Sequence, residues 1–384
     1  MTSKERMLIA MCGGQADHVP VCPDISNMIP CRLTGKSFEQ IYLHNNPPLG
    51  RAYVEAVKYF GFDGWYWYWN PQFHWKSRSG VEMRYESQVR EMPEGRFEET
   101  TLCHLGGTTL RQRMLYYPGD PPTKTEKVIK DVERDLPEIL RWFDADLADV
   151  DWRGGQEDYD SFGDLGIWGI MLECPGPPMW FEWFDGGLEA AIMAAYDHPE
   201  LMEQWCSIHH RRIVDVARAC LAAPMTIDYI CIGASGLITM SNPELFRKYS
   251  LPTVKEVTRL CKQAGMPTML HSCGKSKLLV ETFPAETDLD CLNPLEAPPM
   301  GDITLAEAKR IANGRMSLMG NLHTTDVMLF GSVQDVERAC RQAIDDAGEG
   351  GGFILSTGDQ CGRDTPDENI RAMVRVGREY GKYA

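Results

Sequence analysis

Residues 227–233 read IDYICIG, and after a helical stretch a second mostly apolar run, MPTMLH, follows at 266–271. Short runs that are apolar on both faces are typical of strands in a parallel sheet that is covered on both sides. Eight strands that alternate with helices predict an α/β fold of the (β/α)8 TIM-barrel type, whose active site lies at the carboxyl ends of the strands. The eight runs in this chain are 19–24, 64–69, 166–173, 227–233, 266–271, 289–295, 316–321 and 352–357.

Helix signals fill the segments between these runs. Thr304 with Glu307 forms a capping box, and Ser332 opens a segment that closes near Gly348. Residues 199–221 carry their large apolar side chains at helical spacing. These segments are therefore predicted to be the helices that cover the sheet.

The alternation of strand and helix is interrupted once. At 81–117 polar and apolar residues alternate around two turn sequences, which predicts a three-stranded antiparallel meander, and a helix is expected at 124–142. We therefore expect a single TIM-barrel domain over 1–384. Within it, residues 76–150 form a small insertion, a β-meander plus a helix, after the second barrel strand.

Composition narrows the classes of function. The chain has 384 residues with 39 Lys+Arg and 55 Asp+Glu, a formal charge of −16. A phosphate backbone needs clustered cations, so nucleic acid is not expected as a partner. No apolar run reaches about 18 residues, so no membrane span is expected. The 13 cysteines stand in a chain without a secretion signal, which predicts reduced thiols and a cytoplasmic location.

Three candidate metal ligands follow predicted strands. His271 and Cys273 lie at the end of the fifth run, and Cys361 follows the eighth. One imidazole and two thiolates suit Zn²⁺ and leave a fourth position for substrate. Glu296, after the sixth run, is a possible fourth ligand or a residue that caps a loop. Each signal alone is also compatible with a buried structural residue.

The carboxyl-terminal half of the chain resembles a known family. Residues 227–384 resemble the uroporphyrinogen decarboxylase superfamily, and within it the zinc- and corrinoid-dependent methyltransferases, including methylcobamide:coenzyme M methyltransferases and O-demethylase methyltransferases. The resemblance implies zinc on His271, Cys273 and Cys361, and a corrinoid (cobalamin) cofactor on a separate partner protein. The stretches that carry it are IDYICIG, Asn242–Phe246, Gly265–Pro267, His271–Gly274, Met319–Leu322, Gly351–Leu355, Thr365–Pro366 and Asn369–Ile370.

The sequence disfavours decarboxylation itself. Uroporphyrinogen decarboxylases are similar in fold but present an arginine-rich loop after the first strand, because their substrate carries eight carboxylates. The corresponding stretch here, 23–32, reads PDISNMIPCR, which begins acidic and holds one arginine. A chain with a charge of −16 repels such a substrate.

Aromatic residues are concentrated near the predicted mouth of the barrel. The run Trp65-Tyr66-Trp67-Tyr68-Trp69 has one set of side chains that faces inward and one that packs against helices. Much of it is explained as core filling. Mouth-end residues of this run, with Trp180 after the third strand, favour a flat aromatic or a cationic methyl donor.

The expected reaction is O-demethylation of a phenyl methyl ether, with transfer of the methyl group to the cobalt(I) of the corrinoid protein. The alternatives are methylation of a zinc-bound thiol by methylcorrinoid, a uroporphyrinogen-type decarboxylase, and a non-catalytic tetrapyrrole-binding relative. The candidate proton donors or acceptors are Tyr66, Tyr68 and His74. The candidate substrate-binding residues are Asn27, Trp67, Trp69, Trp180 and Asn321.

Overall fold

A computed structural model describes residues 1–383 of the chain. Its strands are β1 (Gly64–Tyr66), β2 (Gln72–Ser77), β3 (Met83–Met92), β4 (Arg96–Leu105), β5 (Thr108–Tyr116), β6 (Thr123–Glu126), β7 (Ala145–Asp151), β8 (Gly166–Glu173), β9 (Tyr229–Gly233), β10 (Thr268–His271), β11 (Cys291–Asn293), β12 (Ser317–Leu322) and β13 (Phe353–Thr357).

The α-helices lie mainly between these strands. They are α1 (Ser3–Met11), α2 (Met28–Leu33), α3 (Phe38–Tyr42), α4 (Leu49–Phe60), α5 (Val132–Phe143), α6 (Gly155–Phe162), α7 (Pro177–Trp180), α8 (Gly187–Asp197), α9 (Pro199–Leu221), α10 (Pro243–Leu245), α11 (Leu251–Ala264), α12 (Lys277–Glu286), α13 (Leu305–Ala312), α14 (Val333–Ala347) and α15 (Asp367–Glu379). The predicted start at Ser332 is confirmed, because its side chain and that of Asp335 cap the first turn of α14 reciprocally.

The main sheet has seven parallel strands in the order β1-β8-β9-β10-β11-β12-β13. Seven of the eight predicted runs therefore contain a strand. The run at 19–24 does not form one, since it contributes a single parallel bridge, Val21 to Leu355. Pro20 and Pro23 flank this bridge, and proline has no N–H for a ladder. The fold is thus α/β with a curled parallel sheet.

The chain between β1 and β8 differs in detail from the prediction. The strands β3-β4-β5-β6 form a four-stranded antiparallel sheet rather than a three-stranded one, and β2 pairs with β7. The helix expected at 124–142 was placed too early. Residues 123–126 alternate Thr with charged residues and pair with β5, and α5 begins only after Asp131, whose side chain accepts the N–H of Arg134.

The inner face of the parallel sheet is filled from one end by α1. Met7, Ala10 and Met11 of this helix are buried against inward-facing side chains of the strands. Apolar packing of α1 therefore closes this end of the curled sheet. Polar groups lie at the opposite end, where the strands have their carboxyl ends. No helix within residues 1–383 has the length and apolar character needed to cross a membrane.

Candidate metal and substrate site

The end of β10 and the end of β11 form the centre of the candidate site. His271 and Asn293 are register partners on these neighbouring strands. The Nδ1 of His271 lies 2.7 Å from the Oδ1 of Asn293, which is fully buried. A carbonyl oxygen only accepts, so Nδ1 carries a hydrogen, and Nε2 is the nitrogen that is left for a metal ion once its own proton is lost. A partner of this kind orients a metal-binding imidazole.

The Nε2 side of His271 faces negative groups. The Oδ1 of Asp359 lies 3.9 Å from Nε2, and the side chain of Cys273 lies close enough to the ring to affect its pKa. Burial lowers the pKa of His271, but the contact with Cys273 and the carboxylates of Asp359 and Asp24 outweigh it and raise the pKa to about 9. These surroundings favour a positive charge at this position.

Cys361 lies in the loop after β13, next to the same carboxylates. Its side chain is fully buried, and its N–H donates to the carbonyl oxygen of Asp24 over 2.8 Å. Burial raises the pKa of the Cys361 thiol to about 12, with further contributions from Asp24 and Asp359. The thiol is therefore protonated unless a cation stands beside it.

Glu296 has a well-defined partner within the protein. Its carboxylate is buried and accepts the backbone N–H of Gly274, the residue after Cys273. Burial raises the pKa of Glu296, and the nearby Asp359 adds to this rise. This hydrogen bond corresponds to the loop-capping role expected for Glu296. Glu296 could bind a metal ion directly only if its hydrogen bond to Gly274 were broken.

The donors present suit a zinc ion. Within residues 1–383 no three His, Cys, Asp or Glu side chains are already close enough together to hold a metal ion. Even so, one neutral imidazole nitrogen and two sulfurs are a chemical set that Zn²⁺ prefers. The carboxylate of Asp24 is buried and that of Asp359 is partly exposed, and within residues 1–383 His271 is the cationic group beside both.

Of the aromatic candidates, Trp67 lies on the inner side of the sheet. Trp65, fully packed on that face, stacks on His271 with ring centroids 6.2 Å apart, and Trp67 packs against the same cluster. Trp69 instead packs on Trp152 and Trp168 outside the sheet, because β1 ends at Tyr66 and the alternation stops there. Trp180 is fully buried among other aromatic rings.

Of the two candidate amides, one lies near the carboxyl end of a strand and the other lies after the run at 19–24. Asn321 belongs to β12, in register with Ser356 of β13, and follows the inward-facing Met319. Asn27 precedes α2, and its Oδ1 is buried with no hydrogen-bond partner. An unsatisfied acceptor of this kind is available to a ligand.

The three acid–base candidates lie in different surroundings. Tyr66 donates to Asp158 over 2.9 Å on the outer side of the sheet, and His74 is exposed on β2 opposite Asp149. Tyr68 donates to the carbonyl oxygen of Ser26, next to the Asp24 loop. Burial keeps the pKa of Tyr68 well above its ordinary value.

Four polar residues of this region were not among the predicted site residues: Asp24, Glu173, Asn293 and Asp359. Each follows or ends a strand, or a run predicted as one. Polar residues at strand ends are the signal that identifies them, since the ends of parallel strands meet at one edge.

Comparison with known proteins identifies the family of this chain. Residues 185–380, more than half of the chain, match the family model described as uroporphyrinogen decarboxylase (URO-D). The methylated-thiol–coenzyme M methyltransferase of Methanosarcina mazei is 27% identical over 141 residues, 37% of this chain and 35% of that protein. The methylcobamide:CoM methyltransferase MtaA of Methanosarcina barkeri is 26% identical over 208 residues, 51% of this chain and 58% of that protein.

A solved structure supports the fold. A methyltransferase from Methanosarcina mazei superposes with a TM-score of 0.63 at 18% identity, covering 99% of both chains. The aligned segments span only about a third to three fifths of the two curated relatives, so these matches assign no activity to this chain. The chain belongs to the uroporphyrinogen decarboxylase family.

Proposed function

We propose that this chain is a zinc-dependent methyltransferase that transfers a methyl group from a methylated donor to the cobalt(I) of a separate corrinoid protein. A phenyl methyl ether is the donor that we favour. The observation that carries the proposal is the 2.7 Å contact between His271 and Asn293, which leaves Nε2 on the side of Asp359. The two methyltransferases similar to this chain support it.

His271, Cys273 and Cys361 would hold the zinc ion. When bound, zinc supplies a Lewis acid for the ether oxygen from which the methyl group leaves. Asn293 fixes the imidazole, and Glu296 holds the Gly274 N–H and so keeps the loop of Cys273 in place. These contacts hold two of the three ligands before the metal binds, which lowers the entropic cost of assembling the site.

The inner aromatic face supports an aromatic donor. Trp67 is half-buried beside Trp65, whose ring stacks on His271, so a ring that lies against Trp67 is next to the candidate ligand. Asn27 and Asn321 offer amides for polar substituents. Of the three acid–base candidates we retain Tyr68, because its hydroxyl reaches the Asp24 loop. Tyr66 and His74 face away from this region.

The corrinoid cofactor, a cobalamin, belongs to the partner in this proposal. All parallel strands within residues 1–383 belong to one sheet, which leaves no second doubly wound module to carry a corrinoid. The sequence also lacks an Asp-x-His-x-x-Gly segment, which supplies a lower cobalt ligand in many corrinoid modules. The partner would dock over the carboxyl ends of the strands.

We further propose that residues 19–24 complete a closed (β/α)8 barrel in a single domain. The N–H of Cys22 donates to Leu355, and the N–H of Asp63 donates to Val21, so this segment bridges β13 and the start of β1. Residues 76–150 are then an insertion in that domain. The cysteines are free thiols, which supports a reducing, cytoplasmic location.

One alternative function uses the same residues for methyl transfer in the opposite direction. Both methyltransferases described above are named for coenzyme M, so a zinc-bound thiol that accepts a methyl group from methylcorrinoid is the second candidate. Decarboxylation of a polycarboxylate is less compatible with the site, because Asp24, Asp359 and Glu296 gather at the strand ends.

A donor and acceptor panel separates these candidates. The purified chain is supplied with a reduced corrinoid protein and methoxybenzene, and phenol is measured. In a parallel reaction it receives methylcorrinoid and a small thiol, and the thioether is measured. Phenol formation that depends on the chain supports the proposal. Thioether formation without phenol formation would replace it with the second candidate.

A further inference from the structure

A second cavity lies outside the site described above, between the four-stranded sheet and the segment after β8. Its volume is about 320 Å³, at the lower end of the range for sites that hold small molecules. We call it the side recess. Most of its wall is apolar: Met83, Leu110, Val128, Ile139, Met179 and Trp183.

One carboxylate of the side recess is held by a buried histidine. Glu173, the last residue of β8, lines the recess with its side chain 68% exposed, while the side chain of His209 behind it is only 2% exposed. The Nε2 of His209 donates to Oε2 of Glu173 over 3.0 Å, and its Nδ1 is buried without a partner. Within residues 1–383 the second oxygen, Oε1, accepts no hydrogen bond and is available to a ligand.

The other charges around the side recess are already engaged. Lys124 and Glu182, both in its wall, pair with each other over 3.0 Å. Arg212, which lies behind Glu173, stacks on Trp75 at 3.8 Å and donates to the carbonyl oxygen of Phe143. Glu173 is therefore the group in the wall that offers a strong, unfilled acceptor.

The side recess lies close to the candidate metal ligands. Glu173 is in register with Gly233, and Gly233 is in register with His271. Two strand spacings place the Cα atoms of Glu173 and His271 about 9–10 Å apart. Gly233 has no side chain of its own, and the flexible Met171 side chain of β8 lies over it, with its Sδ 3.0 Å from the position that a Cβ of Gly233 would take. A ligand that lies between Glu173 and His271 therefore packs against Met171. One aromatic ring with substituents at opposite ends spans such a distance.

We infer that the side recess binds a small apolar compound that carries a hydrogen-bond donor, a hydroxyl or an ammonium group, which Glu173 accepts. The inference rests on the proposed function, since the compound is then the methyl donor, with its methylated end toward His271. Glu173 thereby selects donors that are polar at the end opposite the methyl group.

The test is calorimetric binding of matched ligands to the full chain. Methoxybenzene, 4-methoxyphenol and 4-methoxybenzylammonium differ only in the group opposite the methoxy end. We expect the hydroxyl or the ammonium compound to bind at least about tenfold more tightly than methoxybenzene, since a hydrogen bond to a charged group has that strength. The tighter of the two identifies the group that the recess prefers. Equal binding of all three would overturn the inference, and this comparison needs no variant.

Variants test whether Glu173 and the side recess cause the binding preference. Glu173→Gln is expected to remove the preference, and Leu110→Trp to weaken all three ligands by filling the recess. Glu91→Gln, an exposed carboxylate on β3, is the matched control and is expected to keep the preference. A preference that survives Glu173→Gln would overturn the inference.

Turnover with a reduced corrinoid protein separates this inference from the proposed function. Equal turnover of methoxybenzene and its polar analogues, unchanged by Glu173→Gln, would reject the role of Glu173 while the methyltransferase proposal stands. A binding preference without turnover of any donor would reject the proposed function, while the binding site in the side recess would stand.

Discussion

The Nδ1 of His271 and the Oδ1 of Asn293 are 2.7 Å apart on adjacent parallel strands, where the two residues are register partners. The sheet itself therefore sets which imidazole nitrogen is free. Since both residues end their strands, the free nitrogen faces the loops that carry Cys273, Asp359 and Cys361. A metal ligand oriented by a fully buried amide is the central element of this account.

Asn293→Ala is expected to weaken zinc binding by about 10- to 100-fold, because the imidazole loses the partner that fixes its tautomer and direction. The measurement is competition with a chelator of known affinity. Asn242→Ala is the control, since Asn242 caps the short helix α10 away from these strands. Unchanged affinity in Asn293→Ala would show that the contact does not orient a ligand.

Tyr66→Phe is expected to leave the turnover rate unchanged and to lower the free energy of unfolding by about 1.5–3 kcal/mol, the usual contribution of a hydrogen bond to a charged group. Its hydroxyl donates to Asp158 outside the sheet, where no substrate is expected. Steady-state kinetics and urea unfolding test the two parts. A large decrease in kcat without a loss of stability would show that Tyr66 is a catalytic residue.

Met7→Ala is expected to lower the free energy of unfolding by about 2–5 kcal/mol, because it opens a cavity in the apolar packing between α1 and the parallel sheet. Met193→Ala is the matched control: Met193 is 51% exposed on α8, and the expected change is within about 0.5 kcal/mol. Similar values for both variants would mean that α1 does not contribute to the core.

Asp17→Asn is expected to destabilise the protein at neutral pH but progressively less in acid. The hydrogen bond from Arg6 lowers the pKa of Asp17 from 3.8 to about 2. Because the folded-state pKa is lowered, the stabilisation is present above about pH 4 and is lost as the pH falls toward 2. Asp17 is 41% exposed, so solvent screening limits the effect to about 1 kcal/mol or less. Urea unfolding of both proteins between pH 7 and pH 2.5 measures it, and a difference that stays constant would contradict the assignment.

The seven strands of the parallel sheet were predictable because buried parallel strands are continuous apolar runs, as at 227–233. The first run, VPVCPD, has the same composition, but its two prolines remove the N–H groups that a ladder needs. The position of β6 was missed for a different reason. Four residues, Thr123–Glu126, pair as a strand because β5 is beside them, a tertiary effect that periodicity does not show.

The candidate ligands were predictable because polar residues at the ends of apolar runs converge at one edge. The direction of single side chains was not. Trp69 was expected on the same face as Trp67, but β1 ends at Tyr66, so alternation no longer determines where Trp69 points. The pairing of Glu173 with His209 joins residues 36 positions apart on different elements, and nothing local in the sequence indicates it.

The most direct test of the central claim is metal analysis of the purified chain by mass spectrometry, with matched cysteine variants. We predict about one zinc ion per chain in the native protein and in Cys340→Ser, whose cysteine is buried on α14 away from the strand ends. We predict loss of zinc in Cys361→Ser with an unchanged circular dichroism spectrum. Full zinc content in Cys361→Ser, or no zinc in the native protein after growth with excess zinc, would contradict the account.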